Sequence, residues 1–546
     1  MGTARDRRAS SLRRVPVVTE STIVLDPTHA SFSPTETVAD LGVTHFIGIG
    51  GAGMSVLAEM LHEQGVTVTG SDREESAKTE RLRELGVTVH IGQRAENVAG
   101  ASTVVFSSAI KPDNPEIVAA AQAGVRIVHR SDILALLLGA RRGVTVAGAH
   151  GKTTTSALLA HILVTAGEGA LADPSYAIGG SIQTPDGGVR DGGHAGTGAV
   201  LVAEADESDG SFEKYRPEIA IVTNAEPDHL DHYGDAAHYH AAFVEHAGHA
   251  TGHVIVCGDD EGARDVLAAL PDDVAARTIV YAADASALPE SLAARVEGVV
   301  EIEQEHEAAE SGAEGFTVHI PAGLLPGEGA AEDVPVSLII PGLHNARNAT
   351  AAILAAALLG MDPRAAAGAA ASFRGAARRF QIRGCVEGVT VVDDYAHHPT
   401  EIAALFDAAR RRYPDSTLRV LFQPHLFSRT RFFAREFAEA LAKADDVIVT
   451  CIFPAREKPA DFPGVSALTV VNAADGVPHD PAEGWISAVQ DMCQAAKMLA
   501  MRAHRGDVIF TVGAGDVTQM STVLLRVLEA HREAHQIREA TQPERQ

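Results

Sequence analysis

Chemistry first shows in the run Val144-Thr-Val-Ala-Gly148-Ala149-His150-Gly151-Lys152-Thr153-Thr154-Thr155. It reads as a strand, a Gly-Lys-Thr loop and an apolar helix from Ser156 to Val164. Backbone amides of such a loop cradle phosphates, the lysine reaches the β/γ oxygens, and the hydroxyl after it ligates Mg²⁺. The first glycine stands three residues before Gly151 rather than five, a departure from the usual P-loop. A second glycine run, His45-Phe-Ile-Gly48-Ile-Gly50-Gly51-Ala-Gly53-Met-Ser55, has GxGxxG spacing after a strand, with Asp72 about twenty residues on. Taken alone that fits NAD, another diphosphate, or a turn with no ligand, and spacing does not choose among them. A hydride-transfer enzyme has no use for the Gly-Lys-Thr loop, so the two loops together argue against a simple oxidoreductase.

Acids follow at strand ends. Val200-Leu-Val-Ala-Glu204-Ala-Asp206-Glu207-Ser208-Asp209 places carboxylates where an open α/β sheet holds Mg²⁺, although an isolated acidic turn is by default solvated. Ile221-Val-Thr-Asn224-Ala-Glu226-Pro-Asp228-His229-Leu-Asp231-His232 gathers histidines and acids in the same way, a second candidate metal or substrate site.

These groups need a scaffold, and 546 residues supply three to four domains at roughly 150 residues each. Short β-branched runs alternate with Ala/Leu/Glu segments, the βαβ rhythm of parallel sheets. Expected strands are 44–49, 66–69, 87–91, 103–106 and 125–128, then 144–147, 199–203, 220–223, 254–257 and 337–340. A third series begins after 375, with 389–392, 418–422, 447–450 and 508–512. Residues 1–40, rich in Arg, Ser, Thr and Pro, read as a disordered leader. The acidic, Gly/Pro-punctuated stretch 284–334 reads as a surface insertion, strand-poor from Pro321 to Pro335. The resulting division is 1–40 leader, 41–141, 142–373, 374–530 and a charged tail 531–546.

Composition excludes several classes. Lys+Arg number 45 against Asp+Glu 72, a formal charge of −27, which disfavours a nucleic-acid polymer as partner. Four scattered cysteines (Cys257, Cys385, Cys451, Cys493) lack metal or disulfide-framework spacing. No apolar run reaches the ~18–20 residues that span a bilayer, so no membrane insertion and a cytoplasmic location are expected.

Assembled, the motifs resemble the ATP-dependent Mur ligases of peptidoglycan synthesis. The matching segments are GIGGAGMS (Gly48–Ser55), GSD (Gly70–Asp72), SSAI (Ser107–Ile110) and AGAHGKTTTS (Ala147–Ser156), then VAEADESDGSF (Val202–Phe212) and VTNAEPDHLDHY (Val222–Tyr233). GLHNARNATAA (Gly342–Ala352), GAARRF (Gly375–Phe380), DDYAHHPTEI (Asp393–Ile402), FQPHLFSRT (Phe422–Thr430) and PAREKP (Pro454–Pro459) complete the set, from about residue 43 to 525. The resemblance implies three α/β domains: a Rossmann-like UDP-binding domain, a P-loop ATPase-like centre and a Rossmann-like C-terminal domain. It implies that Gly50, Gly51, Gly53 and Ser55 line a UDP diphosphate, with Asp72, Ser107 and Ser108 around uridine. ATP would lie on Gly148, Ala149, His150, Gly151, Lys152, Thr153 and Thr154, with adenine at His344, Asn345 and Asn348, whose amides suit a purine edge.

Further implied roles are Mg²⁺ at Thr153, Glu204 and His229, Arg379 on phosphate and Asp394 on ribose. His397, His425 and Arg429 would face the amino acid. The chemistry implied is ATP-driven joining of L-alanine to the lactyl carboxylate of UDP-N-acetylmuramate, with Lys152, Glu204, His229, Arg379 and His425 catalytic, in a monomer or homodimer. A sister ligase that adds a recovered tripeptide, and a nicotinamide oxidoreductase, are the competing readings. Leu426 stands where some members carry Arg, which shifts the expected carboxylate clamp to Arg429 or, more weakly, Arg431.

Overall fold

The computed structural model describes residues 23–541, apart from 34, 185–187, 305–312, 327–328, 456 and 482. Three sheets organise the chain. The first has five parallel strands, in the spatial order Thr88–Ile91, Val68–Asp72, Thr44–Ile47, Thr103–Phe106 and Arg126–His129. Its two central strands, Thr44–Ile47 and Thr103–Phe106, are buried at every position, as expected where helices cover both faces.

The central sheet has ten strands. Arg142–Ala147 lies between Val200–Glu204 and Ile219–Val222, all parallel, so the two acidic bursts leave the sheet on either side of the Gly-Lys-Thr loop. The sheet continues through His253–Cys257, Thr278–Ala282 and Gly298–Gln304. Beneath the loop, helix Lys152–Ala166 is buried from Thr154 to Leu163 and packs beside the alanine-rich helix Leu343–Leu358. A helix apolar all round belongs inside a core, and small alanines let the two approach closely.

The third sheet opens with an antiparallel pair, Gln381–Val386 and Val389–Asp394, then adds Val508–Val512, Leu418–Phe422, Asp446–Val449 and Ile486–Ala488 in parallel. Strands 103–106, 418–422 and 508–512 fall where the sequence pattern puts them; others shift by one to three residues, and the one expected at 337–340 is Glu332–Leu338.

Two expectations are corrected. The segment 284–334 does not sit apart on the surface as an elaboration. Gly298–Gln304, Glu314–Ile320 and Glu332–Leu338 extend the central sheet, the last two antiparallel, and Val300, Phe316, Val318 and Val334 enter the main core. The acidic composition and Gly/Pro punctuation of the segment masked the polar–apolar alternation of these strands, and Pro335 lies within an edge strand, where its missing N–H is tolerated. The leader is likewise ordered over its described part. Ile23 and Leu25 pack against the first domain, Val38–Leu41 forms a short 3₁₀ turn, and Arg126 pairs with Glu36 at 2.7 Å while lying over the Phe32 ring. Residues 1–22, and the tail beyond 541, lie outside the described residues.

Candidate active site

Gly148 and Gly151, with φ of 148° and 82°, turn the chain between strand Arg142–Ala147 and helix Lys152–Ala166, aiming the first amides of the helix outward. A Cβ on Gly148 would stand 2.1 Å from Thr223 Oγ1, so this strand end has no room for one. Asn224 clips the loop from the next strand: its Oδ1 accepts the His150 N–H at 2.9 Å and its Nδ2 donates to the His150 carbonyl at 2.8 Å. Lys152 Nζ donates to the Gly148 carbonyl at 2.6 Å and pairs with Glu207 at 2.7 Å. Burial opposes its charge, but Glu207, Asp206 and Glu204 outweigh that and raise its pKa.

Thr153 Oγ1 donates to Glu204 Oε1 at 3.1 Å, and Glu204 Oε2 accepts the Gly179 amide at 2.8 Å. His229, at a left-handed φ of 53°, lies 3.7 Å from Glu207 and 3.8 Å from Asp228. Burial, more than the opposing Asp228, keeps its ring neutral and able to ligate.

The loop faces a cavity of about 270 Å³ between the central and C-terminal domains, lined by His150, Gly151, Thr153, Thr154, His344, Asn345, Asn348, Arg379 and Asp394 among others. Most of the expected nucleotide residues are thus brought together. Arg379 arrives from the C-terminal side, 3.5 Å from Glu401 and over the Tyr395 ring. Asp394 accepts the amides of Phe380 and Ala396 at 2.7 and 2.8 Å, and burial pushes its carboxyl up to about 6. His344 is held neutral by burial, down to about 4. Both amides line this cavity and also have neighbours in the protein. Asn345 spends its Nδ2 on the Pro341 carbonyl at 2.7 Å, and Asn348 Oδ1 lies where a Cβ on Gly151 would reach it at 2.7 Å. They brace the helix start and the phosphate loop.

The first loop is built differently. Gly48 and Ile49 donate to the Ser71 carbonyl, and Gly50 N–H donates to Asp72 Oδ2 at 2.8 Å. Asp72 therefore fastens the glycine turn itself. Arg130 Nη1 lies 2.9 Å from where a Cβ on Gly53 would stand, a cation over the first turn of helix Ala52–Glu63. Ser55 and Val56 border a smaller cavity shared with Gly179–Ser181 and Gly193 of the central domain. Ser108 donates to Asp209 at 2.5 Å and meets His129 Nε2 at 3.1 Å, so it stands on the seam between the first and central domains.

His397 and His425 meet edge to face at 5.6 Å, His425 stacked on Phe453. Arg429 is buried against Asp228, 2.9 Å from both carboxylate oxygens, and holds that carboxyl well below the usual range against the effect of burial. Arg431 is exposed over the Phe462 ring, so of the two candidate arginines only Arg429 faces the domain seam.

Spacing did not single out Arg130, Asn224 or Glu401. Arg130 had a usable signal, since it directly follows strand Arg126–His129 at the same sheet edge as the glycine loop. Asn224 and Glu401 act through a neighbouring strand and another domain, which one-dimensional spacing does not show.

Comparison with known proteins settles the lineage. The catalytic domain of the Mur ligase family matches residues 43–142, the Mur ligase middle domain 146–356, and the Mur ligase glutamate ligase domain 378–515. The chain belongs to the Mur ligase family. Among relatives, the UDP-N-acetylmuramate–L-alanine ligase of Bifidobacterium adolescentis is 70% identical over 512 residues, 94% of this chain and 97% of that one. That of Renibacterium salmoninarum is 44% identical, over 90% of this chain and 96% of its own. In structure, this Mur ligase matches the UDP-N-acetylmuramate-alanine ligase of Thermotoga maritima with a TM-score of 0.67 at 27% identity, covering 89% of this chain and 99% of that one. A murein peptide ligase from Psychrobacter arcticus matches at 0.58 and 25% identity, with coverage of 89% and 98%. Among the described residues, no helix of this Mur ligase is long and apolar enough to cross a membrane.

Proposed function

We propose that the protein joins L-alanine to the lactyl carboxylate of UDP-N-acetylmuramate, using ATP, in the cytoplasmic synthesis of peptidoglycan precursors. Each chain carries a full site, whether the protein is a monomer or a homodimer. The carrying observation is a charged Lys152 and the Thr153–Glu204 pair, with Thr153 lining a cavity built by two domains. The identity to alanine ligases along nearly the whole chain supports the choice of substrates.

Two anions must meet when the carboxylate attacks the γ-phosphoryl group, so catalysis rests on charge neutralisation. Lys152 exchanges its Glu207 and Gly148 partners for phosphate oxygens, and Arg379 supplies a second cation from the C-terminal domain. Thr153 and Glu204 offer hard oxygen donors and His229 a neutral imidazole, a set that fits Mg²⁺. When bound there, Mg²⁺ adds positive charge beside the phosphates. The products of the first step are an acyl phosphate and ADP. The alanine amine then attacks the acyl carbon, and phosphate leaves as the amide forms. Closure of the cavity keeps water from the acyl phosphate.

The diphosphate of the UDP-sugar lies on the loop Gly50, Gly51 and Gly53, capped by Arg130, with Ser55 at its helix start. Asp72, Ser107 and Ser108 flank the uridine. His344, Asn345 and Asn348 border adenine and Asp394 the ribose. Arg429 meets the amino-acid carboxylate, with His397 and His425 alongside, His425 helping the amine or fixing the carboxylate.

Phosphate release from ATP and UDP-N-acetylmuramate, with L-alanine or a tripeptide as acceptor, tests the reading. Release dependent on alanine supports it. Strong preference for the tripeptide replaces it with the sister ligase, and tight NAD(P)H binding by fluorescence titration would revive the oxidoreductase.

A further inference from the structure

At the rim of the nucleotide cavity, away from the Thr153–Glu204 pair, three side chains converge from two domains. His150 follows the glycine turn, Glu226 follows strand Ile219–Val222, and His398 stands at the N-cap of helix Pro399–Arg412 in the C-terminal domain. His150 Nε2 lies 3.1 Å from Glu226 Oε2, and His398 Nδ1 lies 3.8 Å from Glu226 Oε1. One ligand atom from each of the three lies within 4.8 Å of the others. We propose that His150, Glu226 and His398 form a second metal site, for a borderline divalent ion of the zinc class, that fastens the central and C-terminal domains together.

Three observations carry this. Tetrahedral zinc with bonds of about 2.0–2.1 Å sets its ligand atoms about 3.3–3.4 Å apart, and the two imidazoles approach the two oxygens of the Glu226 carboxylate on that scale, at 3.1 and 3.8 Å. His398 is only 3% exposed, yet neither of its ring nitrogens makes a hydrogen bond. A buried imidazole without a partner is costly, and an ion facing Nδ1 removes that cost. The surroundings are also those of a metal ligand set. Glu401 lies 3.4 Å from the other nitrogen of His150, and the Thr400 hydroxyl donates to Glu226 Oε1 at 2.8 Å, so a ring and a carboxylate are each held in orientation from behind. Two imidazoles and one carboxylate favour zinc over magnesium, in contrast with the oxygen-rich Thr153–Glu204 pair.

The site needs no nucleotide, so its test is independent of the ligase reading. Full-length protein freed of metal by chelation is titrated with Co²⁺, read by visible absorption, and with Zn²⁺, read by thermal unfolding. The expected result is one tight equivalent per chain with a low-coordinate Co²⁺ spectrum. That equivalent weakens at least about tenfold in both His398→Gln and Glu226→Gln, and persists in Glu204→Gln. Absence of a Co²⁺ band and of Zn²⁺ stabilisation in the unmutated protein overturns the site whatever the variants do. Binding that survives His398→Gln, or that disappears only in Glu204→Gln, overturns it too.

Discussion

The two glycine loops share one plan, strand, tight turn and helix, and differ in what surrounds the turn. In the first, the nearest carboxylate, Asp72, is consumed in holding the Gly50 amide, and the nearby cation, Arg130, comes from the end of the edge strand Arg126–His129. In the second, the loop brings its own lysine and hydroxyl, and Glu204 and Glu207 crowd them from the adjacent strand. The first arrangement can hold a diphosphate and do nothing more to it. The second places a cation and hard oxygen ligands where phosphoryl charge would change during reaction. A glycine fingerprint thus reports that phosphate can approach, while the side chains beside it decide whether chemistry follows.

That contrast can be broken most severely at Lys152. Lys152→Ala is expected to lower turnover at least ~10²-fold while leaving affinity for the UDP-sugar unchanged, measured by phosphate release and by titration calorimetry. Near-normal turnover would make the second loop as passive as the first. Next in size, Gly148→Ala combines a left-handed φ with a Cβ against Thr223, and about 2 kcal/mol of strain weakens ATP binding ~30-fold. The matching change in the first loop, Gly50→Ala, meets only the movable side chains of Asp72, Thr79 and Ser76, so the KM for the UDP-sugar rises about fivefold and that for ATP stays put. Equal effects from the two alanines would erase the distinction in rigidity.

The smallest effect is one of pH. His246 braces the strand leading into the second loop, its Nδ1–H donating to the Phe212 carbonyl and its Nε2 accepting from Thr145, both at 3.1 Å. Burial lowers its pKa to about 4. As pH falls below the ordinary value near 6.5, the unfolded chain takes up a proton that the folded chain refuses, so stability declines until pH reaches about 4. His246→Gln should flatten part of that decline in a thermal-unfolding series, and an unchanged slope would remove the ring from the account.

Much of this was legible beforehand because strand-end position is written locally. A β-branched run followed by glycine and then by Lys-Thr fixes the turn, and the same reading points to Glu204, at the last position of its strand, and to His229, in the segment that leaves the next one. Asn345 and Asn348 show what local spacing leaves out. An amide beside a nucleotide motif reads as a ligand group, but Asn345 also donates to the Pro341 carbonyl one helical turn back, and Asn348 lies against Gly151, far away in sequence. Glu401, which reaches His150 from another domain, carried no local mark at all.

The antiparallel extension of the central sheet has one more consequence. Glu314, fully buried at the start of its strand, accepts the Gly342 amide and Arg411 of the C-terminal domain, both at 2.7 Å, while the neighbouring Arg412 grips the Ile339 carbonyl. These bonds tie the C-terminal domain to the extension of the central sheet. Side chains alternate along a strand, so a slip of one residue between Glu314–Ile320 and Glu332–Leu338 would swing Glu314 to the opposite face and break this tie, whereas a slip of two would keep the parity and only displace it. Evolution can lengthen the hairpin beyond this edge freely, but it can alter the register of the edge only in even steps.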